Sequence, residues 1–92
     1  NMYQRQTTIM NATGLHARPA TEFVEEAKKY TSKITVRNLD QAESLPANAK
    51  SILRILSEGL CRGTKVEISA EGEDETQAVD ALVALIESGF GE

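Results

Sequence analysis

An α/β sandwich, with helices on one face of a single sheet and water on the other, is the fold class this sequence predicts. Three observations lead there. Two long segments carry apolar residues at helical spacing, several short segments alternate apolar with polar, and the chain has 92 residues, room for one core and not two. In so short a chain, three helices and about four strands bury their apolar stripes only by packing the helices on one side of one sheet.

Residues 3–10 (YQRQTTIM) mix aromatic, Thr and Ile positions in rough alternation and read as a first strand, turned by NATG at 11–14. Ala20, Phe23, Val24 and Ala27 then recur at helical spacing opposite Glu25, Glu26, Lys28 and Lys29, which predicts a surface helix over 17–30. Pro19 sits near its beginning, where a missing N–H forfeits no intrahelical bond. KITVRN at 33–38 places Ile34 and Val36 on one face of a half-buried strand. A short edge strand is expected near 43–46, because Pro46 would cost a ladder bond in a central one.

Ser51 precedes Ile52, Leu53, Ile55, Leu56 and Leu60, a pattern for a brief helix from 52 to about 58, ended by Gly59. Leu53 and Leu60 are read as core. TKVEISA at 64–70 turns Val66 and Ile68 to one side of a strand, and EGEDE follows as a polar stretch. The strongest periodic signal comes last: Ala78, Val79, Leu82, Leu85 and Ile86 form one helical stripe, stopped by Gly89 and Gly91.

Composition removes several functions. Ten basic against fourteen acidic residues give a net charge of −4, which argues against wrapping nucleic acid. Cys61 is the only cysteine, so neither an intramolecular disulfide framework nor a thiolate metal cluster is expected, and a reducing compartment fits. His16 is the only histidine, so a two-histidine zinc site is excluded within one chain. No apolar run is long enough for stable membrane insertion, and the chain reads as cytoplasmic.

The informative segment is GLHARPA, residues 14–20. A lone histidine is ordinarily a cap or an exposed polar side chain. Here, a helix beginning at Ala17 would turn its first amides toward the imidazole, and its positive end would favour an anion there. A neutral imidazole there has a nitrogen lone pair free to attack a phosphoryl group. Oxygens so attached would accept bonds from the Ala17 and Arg18 amides and from the Arg18 guanidinium. Gly14 permits the turn, and Pro19 fixes φ just behind the cradle. With neither a Walker-type loop nor an acidic cluster beside His16, no cofactor or metal is implied, and phosphate must come from a protein partner.

Ser51 reads first as an N-cap, without a capping box because Arg54 stands at the third helical position. A phosphate on Ser51 would meet helix amides and the nearby Lys50 or Arg54. If Ile52 and Leu56 project to solvent, they form a compact apolar dock bordered by Arg18, Lys28 and Arg54, and a dianion at its edge would change which partners it attracts. Thr21 joins this candidate docking set.

Together GLHARPA at 14–20, EFVEEAKKYTSKITV at 22–36, AKSIL at 49–53 and GTKVEISAEGEDE at 63–75 resemble the histidine-containing phosphocarrier family, HPr, of the bacterial sugar phosphotransferase system. The resemblance implies one HPr-like domain over 1–92, an open-faced β-sandwich with a four-stranded antiparallel sheet covered by three helices. It also implies phosphorylation of His16 on Nδ1 by enzyme I, using phosphoenolpyruvate upstream, and transfer to IIA components of sugar permeases. Arg18 matches the family's active-site arginine and Pro19 its motif proline. Ser51 matches the serine modified in many members by an ATP-dependent HPr kinase/phosphorylase, which would make the chain a regulatory module for a transcriptional regulator. The sequence departs from the family in extra chain around 39–48. Weak, transient docking by a monomer suits repeated handover.

Overall fold

Alternation in KITVRN and KVEISAE becomes two adjacent strands whose buried apolar residues, Ile34, Val36, Val66, Ile68 and Ala70, all face the helices. The computed structural model describes residues 1–92. Its elements are β1 (Tyr3–Thr8), α1 (Ala17–Ala27), β2 (Lys33–Asn38), β3 (Ala47–Asn48), α2 (Ile52–Ser57), β4 (Lys65–Glu71) and α3 (Glu75–Glu87), followed by a 3-10 turn at Gly89–Gly91. The sheet runs β1-β4-β2-β3 with every neighbouring pair antiparallel. Three helices cover one face, as the sequence predicts. The opposite face carries polar cross-strand pairs, among them Ser69 to Gln4 at 3.2 Å and Arg37 to Glu67 at 3.5 Å.

One core holds Phe23 and Val24 from α1, Ile55 from α2, and Val79, Leu82, Val83 and Ile86 from α3 against the strands. Polar contacts fix the edge strand to α3. The Tyr3 hydroxyl and Arg5 both donate to Asp80, at 2.9 and 3.0 Å, and hold its carboxyl below the usual carboxylate range. At the other end of α1, Asp74 accepts from the Thr31 amide at 2.9 Å, the Ser32 amide at 3.0 Å and the Ser32 hydroxyl. These donors, the Ser32 hydroxyl first, pull its carboxyl down to about 2. No helix is long and apolar enough to cross a membrane.

Three boundaries and one core assignment differ from the sequence reading. β1 ends at Thr8, not residue 10, because its partner gives way to the turn at 63–64, where Ile9 exchanges bonds with Thr64 and Gly63 at 2.9 and 2.7 Å. α1 ends at Ala27, not residue 30, because the Lys29 and Tyr30 amides reach back three residues instead of four. The edge strand lies at 47–48, not 43–46: side-chain and backbone bonds at Asn38 and Ser44 close residues 39–44 into turns, and ladder pairing with β2 begins at Ala47 and Asn48. Leu53 is not core but 77% exposed, since α2 has six residues and turns only Ile55 inward. Leu60 is fully buried, as expected.

Candidate functional site

The turn before α1 is held against residues 60–61. The Leu15 amide donates to the Leu60 carbonyl at 2.8 Å, and Leu15 is fully buried. Gly14 makes this approach possible: its φ is +68, and a Cβ there would lie 2.4 Å from the Leu60 oxygen and 2.8 Å from the Cys61 Cα. The next residue, His16, is therefore delivered to the surface in a fixed place.

His16 occupies the N-cap position of α1 with φ −132 and ψ 159, is half-buried, and makes no side-chain cap bond. Ala17 follows at φ +52, left-handed for a residue with a Cβ, so the regular helical dihedrals start only after it. The Ala17 and Arg18 amides form no hydrogen bond with backbone or side chain. Pro19, buried in the first turn, removes a further donor that would have had no acceptor. An uncapped imidazole beside two unpaired amides can accept an anion and hold it without refolding.

Arg18 projects from the same turn, exposed, with its guanidinium donating to Glu22 at 2.6 Å and to the Phe90 carbonyl at 2.7 Å. Thr21 lies one turn on, exposed, its hydroxyl 3.4 Å from the Ala17 carbonyl. Lys28 is exposed near Glu25 at 3.8 Å. Ser51 caps α2 as its sequence position predicts, its Oγ accepting from the Arg54 amide at 3.3 Å. Lys50, expected near a phosphate on Ser51, is engaged elsewhere: its ammonium donates to the Tyr30 carbonyl at 2.6 Å. Arg54 sits 3.7 Å from Glu58. Ile52 and Leu56 are 37% and 40% exposed and join Leu53 in an apolar patch on α2, which packs beside α1.

The sequence reading missed the C-terminal side of this site. Phe90, between two glycines, is buried at φ +55. Beyond it the Glu92 side chain accepts from Asn11 Nδ2 at 3.0 Å, the Thr13 amide at 3.2 Å and the Thr13 hydroxyl at 2.9 Å. An aromatic residue flanked by glycines was the one available signal. Nothing local links residues 11–18 to residue 92. No group of three or more His, Cys, Asp or Glu side chains could hold a metal ion.

An uncapped surface histidine beside unpaired helix-start amides, on an open-faced sandwich, fits the class of small phosphoryl carriers. The family described as "PTS HPr component phosphorylation site" matches residues 3–88, and the chain belongs to that HPr family of the sugar phosphotransferase system. It is 47% identical over 85 residues to phosphocarrier protein HPr of Haemophilus influenzae, covering 92% of this chain and 95% of that one. It is 42% identical over 92 residues to the multiphosphoryl transfer protein of the same organism, covering all of this chain but only 18% of the relative's length. The crystal structure of HPr-C-His from Thermoanaerobacter tengcongensis superimposes with a TM-score of 0.89 at 49% identity, over 98% of this chain and 97% of that chain.

Proposed function

We propose that His16 is the phosphoryl acceptor of this carrier, with enzyme I as donor and IIA components of sugar permeases as recipients. The observation that carries the reading is the uncapped imidazole beside the unpaired Ala17 and Arg18 amides. The Nδ1 lone pair attacks phosphorus while the bond from phosphorus to the enzyme I group breaks, its electron pair returning to that group; the other ring nitrogen keeps its proton. The two amides receive the phosphoryl oxygens, and Arg18 adds a planar fork of donors. Gly14 and Pro19 support the turn from behind.

Thr21, Lys28, Ile52, Arg54 and Leu56 form the docking face in this reading, an apolar patch with a cationic border that gives a weak, rapidly exchanging interface. The 92 residues act as one HPr-like unit, monomeric and cytoplasmic. Incubation with enzyme I and phosphoenolpyruvate, then a IIA protein, tests this by intact mass and site mapping. One acid-labile phosphate on His16 that leaves on adding IIA is expected; no adduct, or an adduct that survives His16→Ala, contradicts it.

A second reading concerns Ser51, which is only half-buried and immediately precedes the exposed Ile52. Phosphorylation there by an HPr kinase/phosphorylase would place a dianion at the rim of the docking face, weakening acidic partners and recruiting a transcriptional regulator. Treatment with such a kinase and ATP should modify the intact chain and leave Ser51→Ala unmodified.

A further inference from the structure

A second concentration of charge lies away from His16. Beyond the end of α1, the start of β2, the edge strand and α2 line an open cleft of about 490 Å³, and none of its residues belongs to the 14–20 segment. Three of its lining side chains, Lys33, Lys50 and Arg54, are cationic and none is acidic. In a chain with a net charge of −4, that is a local reversal of sign.

These cations are poorly neutralised. The Lys33 ammonium forms no ion pair, although Glu71 is its register partner on β4. Lys50 donates to a neutral group, the Tyr30 carbonyl, at 2.6 Å. Arg54 is half exposed and reaches Glu58 only at 3.7 Å. Asp74, the acid beside the cleft, spends its carboxylate on the Thr31 and Ser32 amides at 2.9 and 3.0 Å. Neutral donors join the cations: the Thr35 hydroxyl, and Asn48, whose Oδ1 accepts from the Lys50 amide at 2.9 Å and so leaves its Nδ2 for a ligand.

We propose that this cleft binds a compact small-molecule anion carrying two or more phosphate groups. Its volume lies in the range of small-molecule sites, and its cations come from separate stretches of chain, so one phosphate cannot meet all three at once. Phosphate brings up to two charges and three acceptor oxygens per group, against one charge and two oxygens for a carboxylate. The lysines meet such oxygens as point charges, and Arg54 meets them as a planar fork. Binding involves no covalent step, and it links α2 to the start of β2.

The test titrates the full chain with tripolyphosphate at constant ionic strength and follows the backbone amides by proton–nitrogen correlation NMR. Orthophosphate, citrate and a tetraglutamate peptide are run alongside. Saturable shifts confined to residues 31–35 and 46–54 are expected, with an affinity at least tenfold above that for each of the three comparison anions. Lys33→Gln should weaken binding about threefold and Lys33→Gln with Lys50→Gln about tenfold, while Lys65→Gln, outside the cleft, leaves it unchanged. Lys50 also anchors the end of α1, so Lys33→Gln, which removes no bond within the protein, is the deciding variant. Shifts scattered over the surface, equal affinity for orthophosphate, citrate or tetraglutamate, full affinity in Lys33→Gln, or equal weakening in Lys65→Gln would each overturn the proposal.

Discussion

At the start of α2 the Ser51 hydroxyl accepts from the Arg54 amide at 3.3 Å; at the start of α1 the His16 side chain caps nothing, and Ala17 is held at φ +52. Both positions precede the first turn of a helix. One spends its side chain on the helix, and the other withholds it. An N-cap is worth about 1 kcal/mol and a left-handed non-glycine residue costs about 1–2 kcal/mol, so α1 forgoes stability on both counts. The buried anchors on either side, Leu15 and Pro19, make that tolerable by fixing the backbone independently of the cap. A helix start left open in this way keeps its amides for a ligand; a capped one keeps its stability and releases the hydroxyl only when a modifying enzyme competes for it.

The difference can be broken most severely at Gly14. Substitution by Ala drives a Cβ against the Leu60 carbonyl, and a loss of about 3 kcal/mol is expected by urea unfolding, together with slower phosphoryl uptake because His16 is no longer held in place. Ser51→Ala should cost about 1 kcal/mol and leave phosphoryl uptake on His16 unchanged, since the two helix starts are separately built. Ala17→Gly should stabilise the chain by about 0.5 kcal/mol, the steric relief at positive φ exceeding the added unfolded-state entropy. A destabilised glycine variant would show that the open start carries no strain.

A third helix start supplies a pH signature. Asp74 precedes α3 but turns its carboxylate to Thr31 and Ser32. Its folded value of about 2 lies below the ordinary 3.8, so the unfolded chain binds the proton more readily. Its contribution is complete above about pH 4 and is lost as pH falls through about 2. Unfolding of Asp74→Asn, followed across that window, should show a flatter acid limb than the wild type.

Much of this was legible along the chain. β2 was found at 33–38 because strict alternation specifies one buried face, and α3 because five apolar residues share one stripe. His16 and Ser51 were legible as helix starts from their neighbours. Leu53 was not, because a six-residue helix offers too little periodicity to say which leucine faces in. The edge strand near 43–46 failed because side-chain turns at Asn38 and Ser44 compete with pairing. Positive φ at Ala17 has no composition signal at all. The contacts of Arg18 with Phe90 and Glu92 join residues more than seventy positions apart, which only the assembled fold brings together.

The central claim, that the open start of α1 is reserved for phosphate, is tested most directly by proton–nitrogen correlation NMR of the chain before and after phosphorylation by enzyme I. The Ala17 and Arg18 amide protons should move strongly downfield on forming hydrogen bonds to phosphoryl oxygens, while the Arg54 amide, already bonded to Ser51, stays in place. A phosphorylated chain in which the Ala17 and Arg18 amides do not shift would contradict it.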